Sequence, residues 1–328
     1  SKTGASGTWT GAPDNKVDTT VLGHYAIWYS ATDSSGNVSD SVRRIVVVQD
    51  TTKPIVTLNG SDMTVEGNSE FVDPGVTITD NSGEELTANI EVNYSKTGAS
   101  GTWTGAPDNK VDTSVLGYYA IWYSATDSSG NVSNSVRRII VVQDTTNPEI
   151  ILPEDVIGLN KNEKHIEAGS VLSLEGLVQA KDNFDKNVKL ELKHVTFYAP
   201  SGLKEDNIYN YDFTNGIDTR KVGRYNLDYV ATDASGNEAK KTLLIMISDT
   251  TKPVISIDRT VELNVGDEFV EDIDSKISDN SDDTLKVEIY PVNGKEVDTT
   301  QAGTYQINYK ISDTSGNIEV ATRTVIVK

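Results

Sequence analysis

Three short acidic phrases recur in the same order along the 328-residue sequence. Asp50, Asp144 and Asp249 each open an Asp-Thr-Thr-x-Pro run. Asp80-Asn81, Asp182-Asn183 and Asp279-Asn280 follow, each trailed by further acids: Glu84 and Glu85, Asp185, then Asp282 and Asp283. Asp127, Asp233 and Asp313 each begin an Asp-x-Ser-Gly-Asn run, as Asp33 does earlier. Carboxylate, amide and backbone carbonyl oxygens are the ligands of calcium, which gathers about six to eight of them. The same aspartates beside Ser, Thr and Gly also cap turns by accepting backbone N–H groups. Both readings stay open, because calcium binding needs the three phrases brought to one place by the elements between them.

Other chemistry finds less support. His24, His165 and His194 are the only histidines, and none stands in a HExxH or GxSxG arrangement. The absence of cysteine removes thiol catalysis, disulfides and thiolate zinc sites. No catalytic residue is expected, and the chain reads as a non-enzyme. Lys and Arg number 29 against 49 Asp and Glu, a formal charge of −20, which argues against nucleic acid and anionic membranes as partners. No apolar run approaches the ~20 residues of a membrane-spanning helix. Trp28, Trp103 and Trp122 are a second candidate site. Trp103 could fold over Trp122 as a local cover, or the rings could stack on a sugar.

The positioning elements are strands in repeats. Residues 1–49 and 95–143 differ only at Thr20/Ser114, His24/Tyr118, Asp40/Asn134 and Val46/Ile140. Two weaker copies follow, with ATDSSGN returning as ATDASGN from Ala231 and ISDTSGN from Ile311. The Asp-Thr-Thr-x-Pro linkers divide the chain into repeats 50–143, 144–248 and 249–328, preceded by 1–49. That first piece matches only the second half of its neighbour, so the sequence is expected to begin in mid-domain, by truncation or with a partner's strand completing it. Tyr119, Ile121, Tyr123 and Ala125 alternate with polar or variable residues, the period-two signature of a strand with one buried face. Tyr25, Tyr225 and Tyr305 begin the same pattern. A glycine two residues before each (Gly23, Gly117, Gly223, Gly303) and an upstream aspartate suggest a tyrosine corner, whose hydroxyl returns to the preceding backbone. The fold class is therefore all-β, a tandem set of two-sheet sandwiches.

DTTKP, FVDPGVTITDN from Phe71 to Asn81, the VDT before the glycine and YxIxYxATDxSGN together resemble the bacterial immunoglobulin-like repeats of Gram-positive surface-layer, cell-wall and secreted proteins. The third repeat departs most, with AGSVLSLEGLVQAKDN from Ala168 to Asn183. In an immunoglobulin sandwich the chain entry, the second–third strand loop and the sixth–seventh strand loop share one pole. The resemblance thus places Asp50, Asp80, Asn81 and Asp127 together, then Asp144, Asp182, Asp185 and Asp233, then Asp249, Asp279, Asp282, Asp283 and Asp313. It also implies an extracellular, cell-surface or cell-wall location within a longer exported protein. The expected role is structural: a stalk, spacer or surface-layer unit touching neighbouring copies or cell-surface polymers, stiffened by calcium at the joints. The alternatives are an adhesin or glycan-binding module using the tryptophan face, and accessory domains of a secreted hydrolase or toxin.

Overall fold

Alternation of side chains builds the sheets. Tyr119, Ile121, Tyr123 and Ala125 are 1%, 3%, 1% and 0% exposed, on and just beyond strand Gly117–Ser124. Tyr229 and Tyr309 are wholly buried at the matching positions of later repeats. The computed structural model describes all residues except 1–8, 10, 12–15, 157–161, 203, 210–215 and 282–283, and only the backbone of 204–209. It forms two compact units, Ser1–Asp144 and Thr145–Lys328.

The first unit begins with an antiparallel hairpin, Gly23–Tyr29 against Val42–Val48. A sandwich follows. One layer pairs Ile55–Leu58 with Val76–Thr79. The other is five-stranded, in the order Met63–Glu66, Val136–Gln143, Gly117–Ser124, Asn89–Ser95, Thr104–Gly105. Its first two strands are parallel and the rest antiparallel. Val56, Val65, Val92, Ile121 and Ile140 meet between the layers, each fully buried side chain of this kind contributing about 1.5–3 kcal/mol.

The second unit repeats this plan twice. Glu149–Ile151 with Gln179–Lys181 faces a five-stranded sheet over a core of Leu192, Leu227 and Ile245. Val254–Ile255 with Ile277–Ser278 faces a four-stranded sheet over Ile307, Ile311 and Val325. In the divergent stretch after Ala168, Leu174 and Val178 enter the core while Val171 is fully exposed. The all-β tandem sandwich expectation holds in these three cores. It does not extend to the face of the first hairpin, where Tyr29 is 45% exposed: among the described residues no second sheet lies over it.

Each corner tyrosine makes the anticipated bond. The hydroxyls of Tyr119 and Tyr225 donate to the carbonyls of Asp112 and Asp218 at 2.9 and 3.0 Å, and those of Tyr25 and Tyr305 to Val21 and Gln301 at 3.0 and 3.2 Å. Burial, with the Asp112 charge adding to it, pushes the Tyr119 hydroxyl up to about 12. Gly223 precedes Tyr225 with φ 147°. A Cβ there would stand 2.5 Å from the Tyr198 carbonyl, so the corner packs too closely for a side chain.

Candidate metal centre

Each acidic phrase first satisfies its own turn. Asp50 and Asp249 accept the N–H groups of Thr52 and Thr251 on Oδ1, at 2.9 and 3.1 Å. Asp80 and Asp279 accept the N–H and hydroxyl of Ser82 and Ser281 on Oδ1. Asp182 Oδ1 takes the N–H groups of Phe184 and Asp185. Asp127, Asp233 and Asp313 use both oxygens, taking the backbone N–H and side-chain amide of Asn131, Asn237 and Asn317 at 2.7–2.9 Å. Turn capping is thus fully present in the structure.

Capping leaves oxygens over. Oδ2 of Asp50, Asp80, Asp182, Asp249 and Asp279 is buried and has no hydrogen-bond partner among the described residues. These oxygens belong to acids that stand together at the end of each core. Asp50, Asp80 and Asp127 each offer a carboxylate oxygen within 4.8 Å of the others, as do Asp249, Asp279 and Asp313, and Asp182, Asp185 and Asp233. Asn131 and Asn317 close the arrangement by donating their amides to the backbone carbonyls of Asp50 and Asp249 at 3.3 and 3.2 Å.

The last pole is largely enclosed. Asp249 is 7% exposed and Asp313 8%. Burial pushes the Asp249 carboxyl above its usual range, the Asp279 and Asp313 charges push the same way, and the Thr251 and Ser281 hydrogen bonds only partly oppose them. A buried acid facing two others with an unsatisfied oxygen is costly as a bare anion. An oxygen-binding divalent cation removes that cost, and the donor set is all oxygen, as calcium prefers. The residues present fit such an ion.

Of the remaining anticipated acids, Asp185 Oδ2 accepts the Ala234 N–H at 2.7 Å and Glu84 accepts the Ser128 N–H at 3.0 Å; both brace the neighbouring turn. Asn81 donates to Asp50 Oδ1 at 3.4 Å. Asp144 is buried at the end of the first unit. Asp282 and Asp283 lie outside the described residues.

Sequence reasoning missed Glu167. This carboxylate, at the end of strand Glu163–Glu167, accepts the backbone N–H and hydroxyl of Thr250 at 2.8 and 2.9 Å and those of Thr251 at 3.1 and 2.8 Å. Burial opposes its ionisation, but these four bonds outweigh it and hold the carboxyl below its usual range. Beside it the Asn280 amide donates to the Ala168 carbonyl at 2.8 Å. The third repeat therefore grips the linker and second-loop asparagine of the fourth. The shared pattern Glu66-Gly-Asn-Ser and Glu167-Ala-Gly-Ser was the available signal.

Trp28 and Trp122 face outward. Trp28 is 58% and Trp122 37% exposed; Arg43 and Arg137 lie over their rings at 5.6 and 5.3 Å from the centroids. Arg137, and among the described residues not Trp103, covers Trp122; Trp103 is half-buried on its own loop.

Residues 254–327 match the family model described as a bacterial surface protein Ig-like domain. The pesticidal crystal protein Cry22Aa of Bacillus thuringiensis is 24% identical across 95% of this chain and 38% of its own length. Hyalin of the sea urchin Strongylocentrotus purpuratus is 28% identical across 90% of this chain and 22% of its own. The chain thus spans well under half of either relative. Drosophila N-cadherin EC1-4 superposes with a TM-score of 0.26 at 18% identity, covering 95% of this chain and 86% of that one.

Proposed function

From a chain whose last repeat is a bacterial surface Ig-like domain, preceded by repeats with the same strand order, tyrosine corner and acidic pole, we propose a non-catalytic extracellular structural array: a stalk, spacer or surface-layer unit whose poles take up calcium and stiffen. The repeats are 50–143, 144–248 and 249–328, joined by the Asp-Thr-Thr-x-Pro linkers. The observation that carries this reading is the buried, partnerless Oδ2 of Asp249, standing with Asp279 and Asp313 beside a linker that Glu167 already grips. Asp249, Asp279 and Asp313 would hold the ion in the fourth repeat, Asp50, Asp80 and Asp127 in the second, and Asp182, Asp185 and Asp233 in the third. Calcium would supply charge neutralisation, and the linker would lose bending freedom. Neighbouring copies or cell-surface polymers are the partners such an array would meet.

The test is a calcium titration of chelator-treated protein, followed by melting temperature and small-angle scattering. Calcium at 100 times its dissociation constant adds about 2.7 kcal/mol to a one-site domain, so a rise of about 11–22 °C is expected at about 4–8 °C per kcal/mol. No change in either observable leaves turn capping as the whole role of these acids. The match to a pesticidal protein over 95% of the chain favours, as a second reading, accessory domains of a secreted toxin. A catalytic or pore-forming domain in the same gene product would support it.

A further inference from the structure

In each core the strand that opens the larger sheet runs parallel to the strand that ends the repeat. Met63–Glu66 pairs with Ile140–Gln143, Glu163–Glu167 with Leu244–Ser248 and Thr260–Leu263 with Thr324–Val327. Tension on the two ends of a repeat drags such a pair in opposite directions along its length. Its hydrogen bonds are then loaded together, whereas an antiparallel terminal pair would open one bond at a time.

Two of the cores bolt this pair. Arg138, fully buried in the last strand, donates through Nε to the Ser61 carbonyl at 3.2 Å and through Nη2 to the Asn59 and Gly75 carbonyls at 2.8 and 3.2 Å. Its Nη1 meets the carboxylate of Asp73, which also takes the Tyr123 hydroxyl at 2.7 Å. Residues 59–62 lead directly into Met63–Glu66, and Asp62 Oδ1 accepts the Ile139 N–H at 2.8 Å. The first strand cannot slide past the last without stripping Arg138 of these acceptors. In the fourth repeat Arg323 donates to the Asp258 carbonyl at 2.9 Å and to Glu271 at 3.1 Å.

Among the described residues the third repeat has no arginine bolt; across the same pair the Asn162 amide donates a single neutral bond to the Thr242 carbonyl at 3.1 Å. Arg138 stands opposite Ile121 and Arg323 opposite Ile307; the residue opposite the matching Leu227 is Leu243, wholly buried. An apolar side chain in place of a buried ion pair often leaves equilibrium stability unchanged or improved, but it offers no directional bond to resist sliding.

We propose that the repeats are force-bearing clamps graded by this position, the Arg138 and Arg323 bolts holding the second and fourth cores while the Leu243 core yields first under load. The inference goes beyond the structural reading and needs no calcium. The full chain is stretched by its two termini with chelator present, so a failure of calcium binding cannot mimic its failure. Contour gain at roughly 3.3–3.6 Å per residue identifies each event, the third repeat giving the longest step. The expected result is that this step comes at the lowest force. In the double variant Arg138→Met with Asp73→Leu, the second core should rupture roughly tenfold faster at constant force, while its denaturant midpoint moves little. Arg323→Met with Glu271→Leu is the parallel variant should the first fold poorly. The proposal is overturned if the longest step comes at equal or higher force than the others, or if a folded double variant ruptures at the wild-type rate.

Discussion

Gly169 and Gly176 share a backbone conformation, with φ of 72° and 71°, and differ in what stands beside them. A Cβ on Gly169 would lie 2.6 Å from the carbonyl oxygen of Asn280, in the next repeat, whereas one on Gly176 meets nothing within 4 Å. Left-handed backbone costs a non-glycine residue ~1–2 kcal/mol, and Gly169→Ala and Gly176→Ala share that cost. Only Gly169→Ala also drives a methyl against main chain, adding ~1–3 kcal/mol if the joint stays closed. At about 4–8 °C per kcal/mol for a domain of this size, Gly169→Ala should melt at least ~4 °C below Gly176→Ala by calorimetry. If the joint opens instead, the clash disappears, Glu167 loses its bonds to Thr250 and Thr251, and small-angle scattering registers a changed particle. Equal melting temperatures together with equal scattering would refute a joint in which the third repeat holds the fourth.

Four further outcomes follow from the same geometry. Asp73→Ala strips its carboxylate partner from the fully buried Arg138, and loss of one partner of such a pair costs about 3–5 kcal/mol, visible as a lower urea midpoint for the second core. Asp249→Asn removes a charge that burial and two neighbouring acids disfavour; it should raise the melting temperature in chelator and abolish the increment that calcium gives the fourth repeat. The carboxyls of Asp112 and Asp298 are held below 3.8 by the hydroxyls and N–H groups of Ser114 and Thr300. Because the folded value is the depressed one, that stabilisation is present above 3.8 and lost as pH falls through the folded value; the pair Asp112→Asn and Asp298→Asn should flatten melting temperature against pH below about 4. Trp122, if it stacks on a sugar, should show fluorescence quenching against a glycan panel that Trp122→Ala loses; an unchanged spectrum confines the ring to its contact with Arg137.

What the sequence made legible was what depends on local periodicity. Tyr119-x-Ile-x-Tyr fixes a buried strand face because side chains alternate, and the glycine two residues earlier with its upstream aspartate marks the corner. The meeting of Asp50, Asp80 and Asp127 was anticipated from the strand order of the resembling family. Which carboxylate oxygen a turn consumes and which it leaves is set by distances of a few tenths of an ångström, so the partnerless Oδ2 of Asp249 was invisible. Glu167 was hidden because Thr250 and Thr251 lie 83 and 84 positions away. The adjacent pair Arg137-Arg138 shows the remaining difficulty. Alternation requires one of the two inward and one outward, but only the packed sheets show Arg138 buried against Asp73 while Arg137 takes the Trp122 ring proposed for Trp103.

The bond from the Asn317 amide to the Asp249 carbonyl joins residues 68 apart, one at the entrance to the fourth repeat and one in its final hairpin. A growing or exported chain makes the acceptor long before the donor. The Asp249 carbonyl therefore has to wait for this amide until the far end of its own repeat has been made, and the entrance to the fourth repeat is completed last.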